Sequence, residues 1–437
     1  MRDRFVLVPW ICLLCWTTAA SAADVFEGAA WIRDPAFQAE KVLGVFHAHQ
    51  SEEKSTRLKA VHTYFRKQIE LPSAPTKALL WISGDDYYKL YVNGRFVEQG
   101  PEPAYPFAQP YYRLDVTRFL SEGSNCLAAH VYYHGLATRA FNSADNRSGL
   151  VLKLELRFAD GSKRTVATDR TWKCLQSKAF PYDRIFGYAT QFNENIDMRH
   201  EPIGWRLPGF DDSAWQTPLV ERQDHRFVEA LTPPLEHWRA DPVLFKEKSP
   251  GRYFLDFGAE VVGHTRIRVK GPKGHTVTVW HGEETLSPGD EGYAPETVRH
   301  AMRCNCDYQD KITLSGGEDL VEFYDYRGFR YIELIDAPGR PEVWVDVRHH
   351  RFDAGASSFD SSCQILNDVW KMSKRGVQMG CQGVIVDCPT REKGQYTGDT
   401  YMTAVSQLLL TADPTLTKAA LLNYHFSQRF DTGMLCV

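Results

Sequence analysis

Three carboxylates, Asp387, Glu392 and Asp399, fall within 13 residues of the chain. An apolar segment (383–386) precedes them and a helix-like segment (400–410) follows, so we expect them in a loop between two buried elements. Carboxyl groups that crowd one cavity cannot all ionise easily, and the pKa of at least one is therefore raised. A carboxylic acid that keeps its proton near neutral pH can protonate a departing oxygen, as the cleavage of a glycosidic bond requires.

The loop also carries backbone signals and cations. Pro389 lacks a backbone donor and disfavours helix before it, while Gly394 and Gly398 permit sharp turns. Two alternatives to a catalytic loop stay open. Arg391 and Lys393 can pair with the acids in a structural salt-bridge loop. Oxygen ligands alone would also suit Ca²⁺, although the spacing is not that of an EF-hand.

Composition sets the broad class of the protein. A chain of 437 residues is too long for one hydrophobic core, and roughly two to four domains are expected. A formal net charge of −4 and the absence of any Lys/Arg-rich run argue against a nucleic-acid partner. The aromatic content of 13% suits stacking on sugar faces, but β-sandwich cores use the same residues.

The first 22 residues are typical of a secretory signal peptide. Residues 1–4 give a positive start, residues 5–16 are apolar, and residues 20–22 resemble a cleavage site. We expect export to the periplasm or the extracellular space, with no integral membrane segment after cleavage; an uncleaved anchor is the alternative. Loss of Cys12 and Cys15 leaves eight scattered cysteines, expected to be mostly free and buried. No spacing requires a metal or another cofactor, so none is expected.

Hydrophobic patterns divide the mature chain into three regions. Residues 23–230 alternate in short strands, with a hairpin signal at Asn93-Gly94, and predict an N-terminal β-sandwich region. Residues 231–355 begin with a proline-containing linker and predict a second β-sandwich domain, whose clearer strands are expected at 253–257, 264–269, 276–280 and 331–334. Residues 356–437 predict three amphipathic helices, the third of which starts at Asp413-Pro414. Their apolar positions are Ile365, Leu366, Val369, Trp370, Val377, Met402, Val405, Leu408, Leu409, Leu421, Leu422, Tyr424 and Phe426. Their broad apolar faces need partners, so these helices are expected to be the first part of an incomplete all-α domain.

The chain resembles the bacterial α-L-rhamnosidases of glycoside hydrolase family 78. In that family an Asp-Cys-Pro-x-Arg segment precedes the general-acid glutamate, and a Gly-Asp pair closes the motif. The matching residues are Asp387-Cys388-Pro389, Arg391, Glu392 and Gly398-Asp399. Weaker matches at 85–94, 204–215 and 326–331 consist of packing and turn residues, and they support the fold more than the chemistry.

The resemblance implies an inverting hydrolase in which β-sandwich domains precede an (α/α)6 barrel. Glu392 would be the general acid, and Asp387 and Asp399 would bind hydroxyls of the L-rhamnose ring, with Arg391 near the same subsite. The substrate would be a rhamnose-containing glycoside, oligosaccharide or polysaccharide. The general base would be a second glutamate beyond residue 437. We therefore expect this chain to be an N-terminal portion that is inactive alone.

The acidic loop also departs from the family pattern. Many members carry Asp-Glu-Arg and Gly-Trp here, whereas this chain has Glu392-Lys393-Gly394 and Gln395-Tyr396, with one residue fewer. Glu392 is the expected acid because it is the only glutamate of the loop. Tyr396 is expected to replace the tryptophan as a wall that stacks on a sugar ring.

Two other functions stay open. A polysaccharide lyase on the same scaffold would act on rhamnose linked to glucuronate and would leave an unsaturated uronate. A non-catalytic carbohydrate-binding protein would use the β-domains alone. In that context Asp145-Asn146 resembles an Asp-Asn pair that holds calcium beside rhamnose in some members, although a turn between strands explains the same residues.

Overall fold

The computed structural model describes residues 25–43, 57–136, 144–188, 190–221, 225–428 and 435. The predicted signal peptide (1–22) lies outside the described residues. Within them, no helix combines the length and the apolar character needed to cross a membrane. All seven described cysteines are free, and four of them are buried.

Short strands build the N-terminal region, as the alternation of apolar and polar residues predicts. They are β1 (Trp31–Arg33), β2 (Val61–Leu71), β3 (Lys77–Asp85), β4 (Tyr87–Val92), β5 (Arg95–Gly100), β6 (Gln109–Asp115), β7 (Gly123–Tyr133), β8 (Gly149–Arg157), β9 (Lys163–Ala167), β10 (Lys173–Gln176), β11 (Ile185–Phe186), β12 (Gln191–Phe192), β13 (Ile196–Asp197), β14 (Leu219–Glu221) and β15 (Phe227–Glu229).

Two sheets of this region pack face to face. One has the order β14-β1-β8-β3-β6-β15, with β9 beside β8, and the other has the order β10-β2-β7-β4-β5. Leu80 and Leu152 from the first sheet and Leu90 and Leu127 from the second are fully buried in one core. Asn93-Gly94 connects β4 to β5, and both residues have positive φ, as a tight hairpin turn requires. Strands β11 and β12 form a separate hairpin.

The second region is a nine-stranded sheet that includes β13. Its other strands are β16 (Glu236–Ala240), β17 (Leu244–Ser249), β18 (Arg252–Lys270), β19 (Thr276–Gly282), β20 (Gln309–Thr313), β21 (Glu318–Glu322), β22 (Arg327–Ile335) and β23 (Glu342–His349).

Strand β18 folds this sheet onto itself. Its first part pairs with β17 and β22, and its last part pairs with β23 and β21. The register shifts between Asp256 and Val261, where Gly258 has φ +78. Leu255 and Ile267, from the two parts, contribute to the same core. The prediction of separate strands at 253–257 and 264–269 is therefore wrong, because both segments belong to one bent strand that pairs with different neighbours before and after the bend.

Three helices follow the sheets: α1 (Gln364–Gly380), α2 (Thr397–Thr411) and α3 (Thr415–Phe426). Val377, Ile385, Ala404 and Leu416 form a small core between them. Many of the other predicted apolar positions are exposed, among them Ile365, Leu366, Val369, Met402, Val405, Leu409 and Leu421. The described part of the chain thus leaves the predicted apolar helix faces largely uncovered. The division at 230/231 and 355/356 stays a prediction.

Candidate active site

The acidic loop connects α1 to α2 and closes on itself through Asp387. The backbone N–H of Gly394 donates to Asp387 Oδ1 at 2.9 Å, and the N–H of Asp387 donates to the Gly394 carbonyl at 2.9 Å. Burial is the main cause that raises the pKa of Asp387, and the charge of Glu392 adds a smaller part. The crowding inferred from the sequence therefore contributes, but desolvation has the larger effect.

Glu392 lies on the same loop, with its side chain 14% exposed. The Tyr396 hydroxyl donates to Glu392 Oε2 at 2.5 Å, and Arg391 Nε lies 3.5 Å from Oε1. Three of the predicted site residues thus meet around one carboxylate. The contact shows that the hydroxyl of Tyr396 is directed at Glu392. The expected stacking of the Tyr396 ring on a sugar stays a prediction.

Asp399 is placed differently from the expectation. Helix α2 begins at Thr397, so Asp399 lies in its first turn and is exposed. The prediction that Asp399 belongs to the loop is therefore wrong. A carboxylate in the first turn favourably complements the helix dipole, which explains the residue without a ligand. Its role as a sugar ligand stays a prediction.

Residues of both β-regions fix the backbone of the acidic loop. Gln191 Nε2 and the Tyr308 hydroxyl each donate to the Thr390 carbonyl at 3.1 Å. The Thr190 hydroxyl donates to the Arg391 carbonyl at 2.9 Å. No local sequence pattern indicates these contacts, because each partner is more than 80 residues away along the chain.

Lys393 points away from the carboxylates. Its ammonium donates to Gln191 Oε1 at 2.8 Å and to the Tyr326 carbonyl at 2.7 Å, and the residue is 7% exposed. Arg391 is thus the cation that pairs with Glu392, whereas Lys393 binds groups outside the loop. Within the described residues, no three His, Cys, Asp or Glu side chains converge so as to hold a metal ion.

An open groove of about 780 Å³ borders the loop at Arg391. The second β-region supplies its other wall, where Glu284 pairs with Arg299 at 3.0 Å. Near the same wall, Glu260 and Pro389 both pack against Gly328. Burial raises the pKa of Glu260 to about 7, and the charge of Glu283 adds to this. No sequence motif marks Glu260 as a candidate, because it lies within strand β18.

The Asp145-Asn146 pair is held by contacts within the protein. Asp145 is completely buried, and its carboxylate accepts from Arg147 Nη1 at 2.7 Å and from the Arg147 N–H at 2.9 Å. The side-chain amide of Asn146 donates to the Lys41 carbonyl at 2.9 Å, and the backbone carbonyl of Asn146 accepts from Arg33 Nη2 at 2.6 Å. These bonds account for both residues as a buried turn. Ser143, two positions before Asp145, lies outside the described residues.

Each of the three regions matches the model of a domain found in bacterial alpha-L-rhamnosidases. Residues 73–238 match the alpha-L-rhamnosidase N-terminal domain, and residues 246–350 match the bacterial alpha-L-rhamnosidase concanavalin-like domain. Residues 354–437, which contain the acidic loop, match the bacterial alpha-L-rhamnosidase 6 hairpin glycosidase domain.

Individual proteins are similar over most of the chain. An alpha-L-rhamnosidase of Streptomyces avermitilis is 28% identical over 422 residues, covering 89% of this chain and 40% of that protein. One from Formosa agariphila is 24% identical, covering 78% and 37%. The chain thus spans about two fifths of the length of these curated relatives.

Solved structures agree with this fold. The structure of Streptomyces avermitilis alpha-L-rhamnosidase complexed with L-rhamnose superposes with a TM-score of 0.71 at 26% identity, covering 86% of this chain and 37% of that one. The alpha-L-rhamnosidase from Dictyoglumus thermophilum gives a TM-score of 0.73 at 21% identity, covering 92% and 45%. At that identity, the second likeness concerns the fold alone.

Proposed function

The chain belongs to the bacterial α-L-rhamnosidase family, and from this premise we propose that its protein hydrolyses terminal α-L-rhamnosyl groups with inversion of configuration. One observation carries the proposal. Glu392 sits in the loop between α1 and α2, inside the region that matches a glycosidase domain, and a tyrosine hydroxyl 2.5 Å away fixes its carboxyl group. Such a fixed carboxyl group is what a general acid requires.

In this mechanism Glu392 gives its proton to the glycosidic oxygen while the bond to the anomeric carbon breaks. The carboxylate that forms is a stronger acceptor than the acid, so the hydrogen bond from Tyr396 strengthens during the transfer. Arg391, 3.5 Å from Oε1, stabilises the same developing charge. Asp387 and Asp399 are proposed to bind hydroxyls of the rhamnose ring.

Inversion also needs a water molecule whose oxygen bonds to the anomeric carbon from the opposite face as the glycosidic bond breaks, and a general base that takes a proton from this water. The two carboxyl groups of an inverting glycosidase are roughly 6.5–9.5 Å apart, which leaves room for a water molecule. We propose that the base is a residue beyond position 437 and that α1–α3 begin an (α/α)6 barrel. Further helices of that barrel would cover the exposed apolar side chains of α1, α2 and α3.

Export completes the proposal. The apolar segment at residues 5–16, flanked by a positive start and a small-residue cleavage site, supports secretion to the periplasm or beyond. A secreted enzyme of this kind would meet rhamnose-containing glycosides, oligosaccharides or polysaccharides.

The test uses the complete gene product with an aryl α-L-rhamnoside, and ¹H NMR follows the released sugar. Rhamnose that appears first as the β-anomer is the expected result. Rhamnose that appears first as the α-anomer would refute inversion, and no release would refute the hydrolase. Ultraviolet absorbance of an unsaturated uronate, released from a rhamnosyl-glucuronate polymer, would establish the lyase instead.

A further inference from the structure

We propose that Lys393 is a positioning residue that sets the direction of the Glu392 carboxyl group. The proposal rests on the proposed function, since it concerns how the acid is aimed at its substrate. Lys393 is adjacent to Glu392 in sequence, yet the two side chains make contacts in different parts of the molecule: Glu392 with Tyr396 inside the loop, and Lys393 with the β-regions.

The backbone at Lys393 is in an unusual conformation. Its φ is +56°, in the left-handed region that favours glycine over residues with a Cβ atom. A left-handed residue reverses the local path of the chain, so consecutive side chains can point to opposite sides. Other interactions must hold a lysine in this conformation.

The ammonium group of Lys393 supplies those interactions. It donates to Gln191 Oε1 at 2.8 Å and to the Tyr326 carbonyl at 2.7 Å, and it lies 4.0 Å from the centre of the Tyr326 ring. Gln191 belongs to β12 and Tyr326 immediately precedes β22, so both β-regions bind the cation. Burial lowers the pKa of Lys393 to about 8, although the charge of Asp325 opposes this fall.

The same β-regions hold the residues on the other side of Glu392. Gln191 bonds the Thr390 carbonyl through its amide nitrogen while its oxygen accepts from Lys393. One glutamine side chain therefore ties together the two ends of the segment that carries the acid. If the lysine contact is lost, the segment stays attached at Thr390 but can rotate at Glu392.

A misdirected general acid has a recognisable kinetic effect. An alkyl rhamnoside has a poor leaving group and needs the proton, whereas a p-nitrophenyl rhamnoside departs with little help. In the complete protein, Lys393→Met is expected to lower kcat for methyl α-L-rhamnoside by roughly tenfold or more, since small misplacements of catalytic groups are costly. The kcat for the p-nitrophenyl substrate should change much less, with KM nearly constant for both.

Lys89→Met is the matched control. Lys89 is also buried, donates to the Phe323 carbonyl at 3.0 Å, and lies 4.5 Å from the ring of Tyr324. Among the described residues, these contacts lie outside the acidic loop. The loss of Lys89 should cost stability without changing the ratio of the two substrates. Gln191→Leu removes the acceptor of Lys393 together with the bond to the Thr390 carbonyl, and should shift that ratio in the same direction as Lys393→Met and at least as far.

The outcomes separate the two proposals. A wild-type protein that cleaves neither rhamnoside refutes the proposed function. An active wild-type protein whose Lys393→Met and Gln191→Leu variants lose both activities equally, or lose neither, refutes the positioning role. If Lys393→Met does not fold, the Gln191→Leu ratio alone decides.

Discussion

The stability of this protein is expected to depend on pH through a buried histidine, and His134→Gln should remove that dependence. His134 Nε2 lies 3.5 Å from Asp325 Oδ2, and its Nδ1 lies 3.7 Å from Asp86 Oδ2. The histidine side chain is only 2% exposed. These distances are those of an ion pair at the junction of the two β-regions, which is formed only while the imidazole is protonated.

The magnitude follows from the shift in pKa. Burial alone disfavours the imidazolium, but Asp325 and Asp86 outweigh this effect and raise the pKa of His134 from 6.5 to about 9. Because the folded pKa exceeds the unfolded one, the stabilisation is complete below about pH 6.5 and is lost as the pH rises through about 9. A shift of this size corresponds to about 3 kcal/mol of unfolding free energy.

Urea unfolding of wild-type and His134→Gln protein at pH 5.5 and pH 10, followed by tryptophan fluorescence, measures this term. The difference between the two proteins should shrink by about 3 kcal/mol at the higher pH. His200→Gln is the control, because His200 lies 3.8 Å from Asp197 with its side chain 52% exposed, and exposed pairs contribute less than about 1 kcal/mol. An equal wild-type-to-variant difference at both pH values would refute the charged state of His134.

Two further predictions concern the acidic loop. Gly187→Ala should lower kcat/KM by roughly tenfold, since the new Cβ would lie 2.3 Å from the Arg391 carbonyl and displace the loop. Gly28→Ala carries a similar positive-φ cost in open space and should leave kcat/KM unchanged; equal effects of the two would contradict the clash. Tyr396→Phe removes a hydrogen bond to Glu392 of about 1.5–3 kcal/mol and should lower kcat roughly 10- to 100-fold. A change in kcat below twofold would contradict that contact.

Local sequence patterns were sufficient to predict the elements that depend on interactions between neighbouring residues. The hairpin at Asn93-Gly94 was predictable because a tight turn needs two residues that tolerate positive φ. The start of α3 was also predictable, because Asp413-Pro414 is typical of the residues that precede or begin a helix. Asp413 accepts there from the N–H of Thr415 at 2.9 Å. The helical spacing at 400–410 predicted α2 but not its first turn, because Thr397 and Gly398 resemble a loop.

The remaining errors come from long-range contacts. Strand β18 continues through Gly258 because partners on both sides pair with it, and no local pattern contains those partners. The anchoring of Lys393 by Gln191 spans 202 residues and has no signature in either segment. The sequence could therefore identify Glu392 as a candidate acid, but not the residues that hold its loop in place.

The central claim is that Glu392 protonates the leaving group, and the kcat of a Glu392→Gln variant of the complete protein tests it most directly. Glutamine keeps the shape of the side chain and removes the proton, so kcat for an alkyl α-L-rhamnoside should fall by roughly 100- to 10,000-fold with the circular dichroism spectrum retained. Glu318→Gln, at an exposed position on β21, should turn over like the wild type. Unchanged turnover by a folded Glu392→Gln protein would contradict the account.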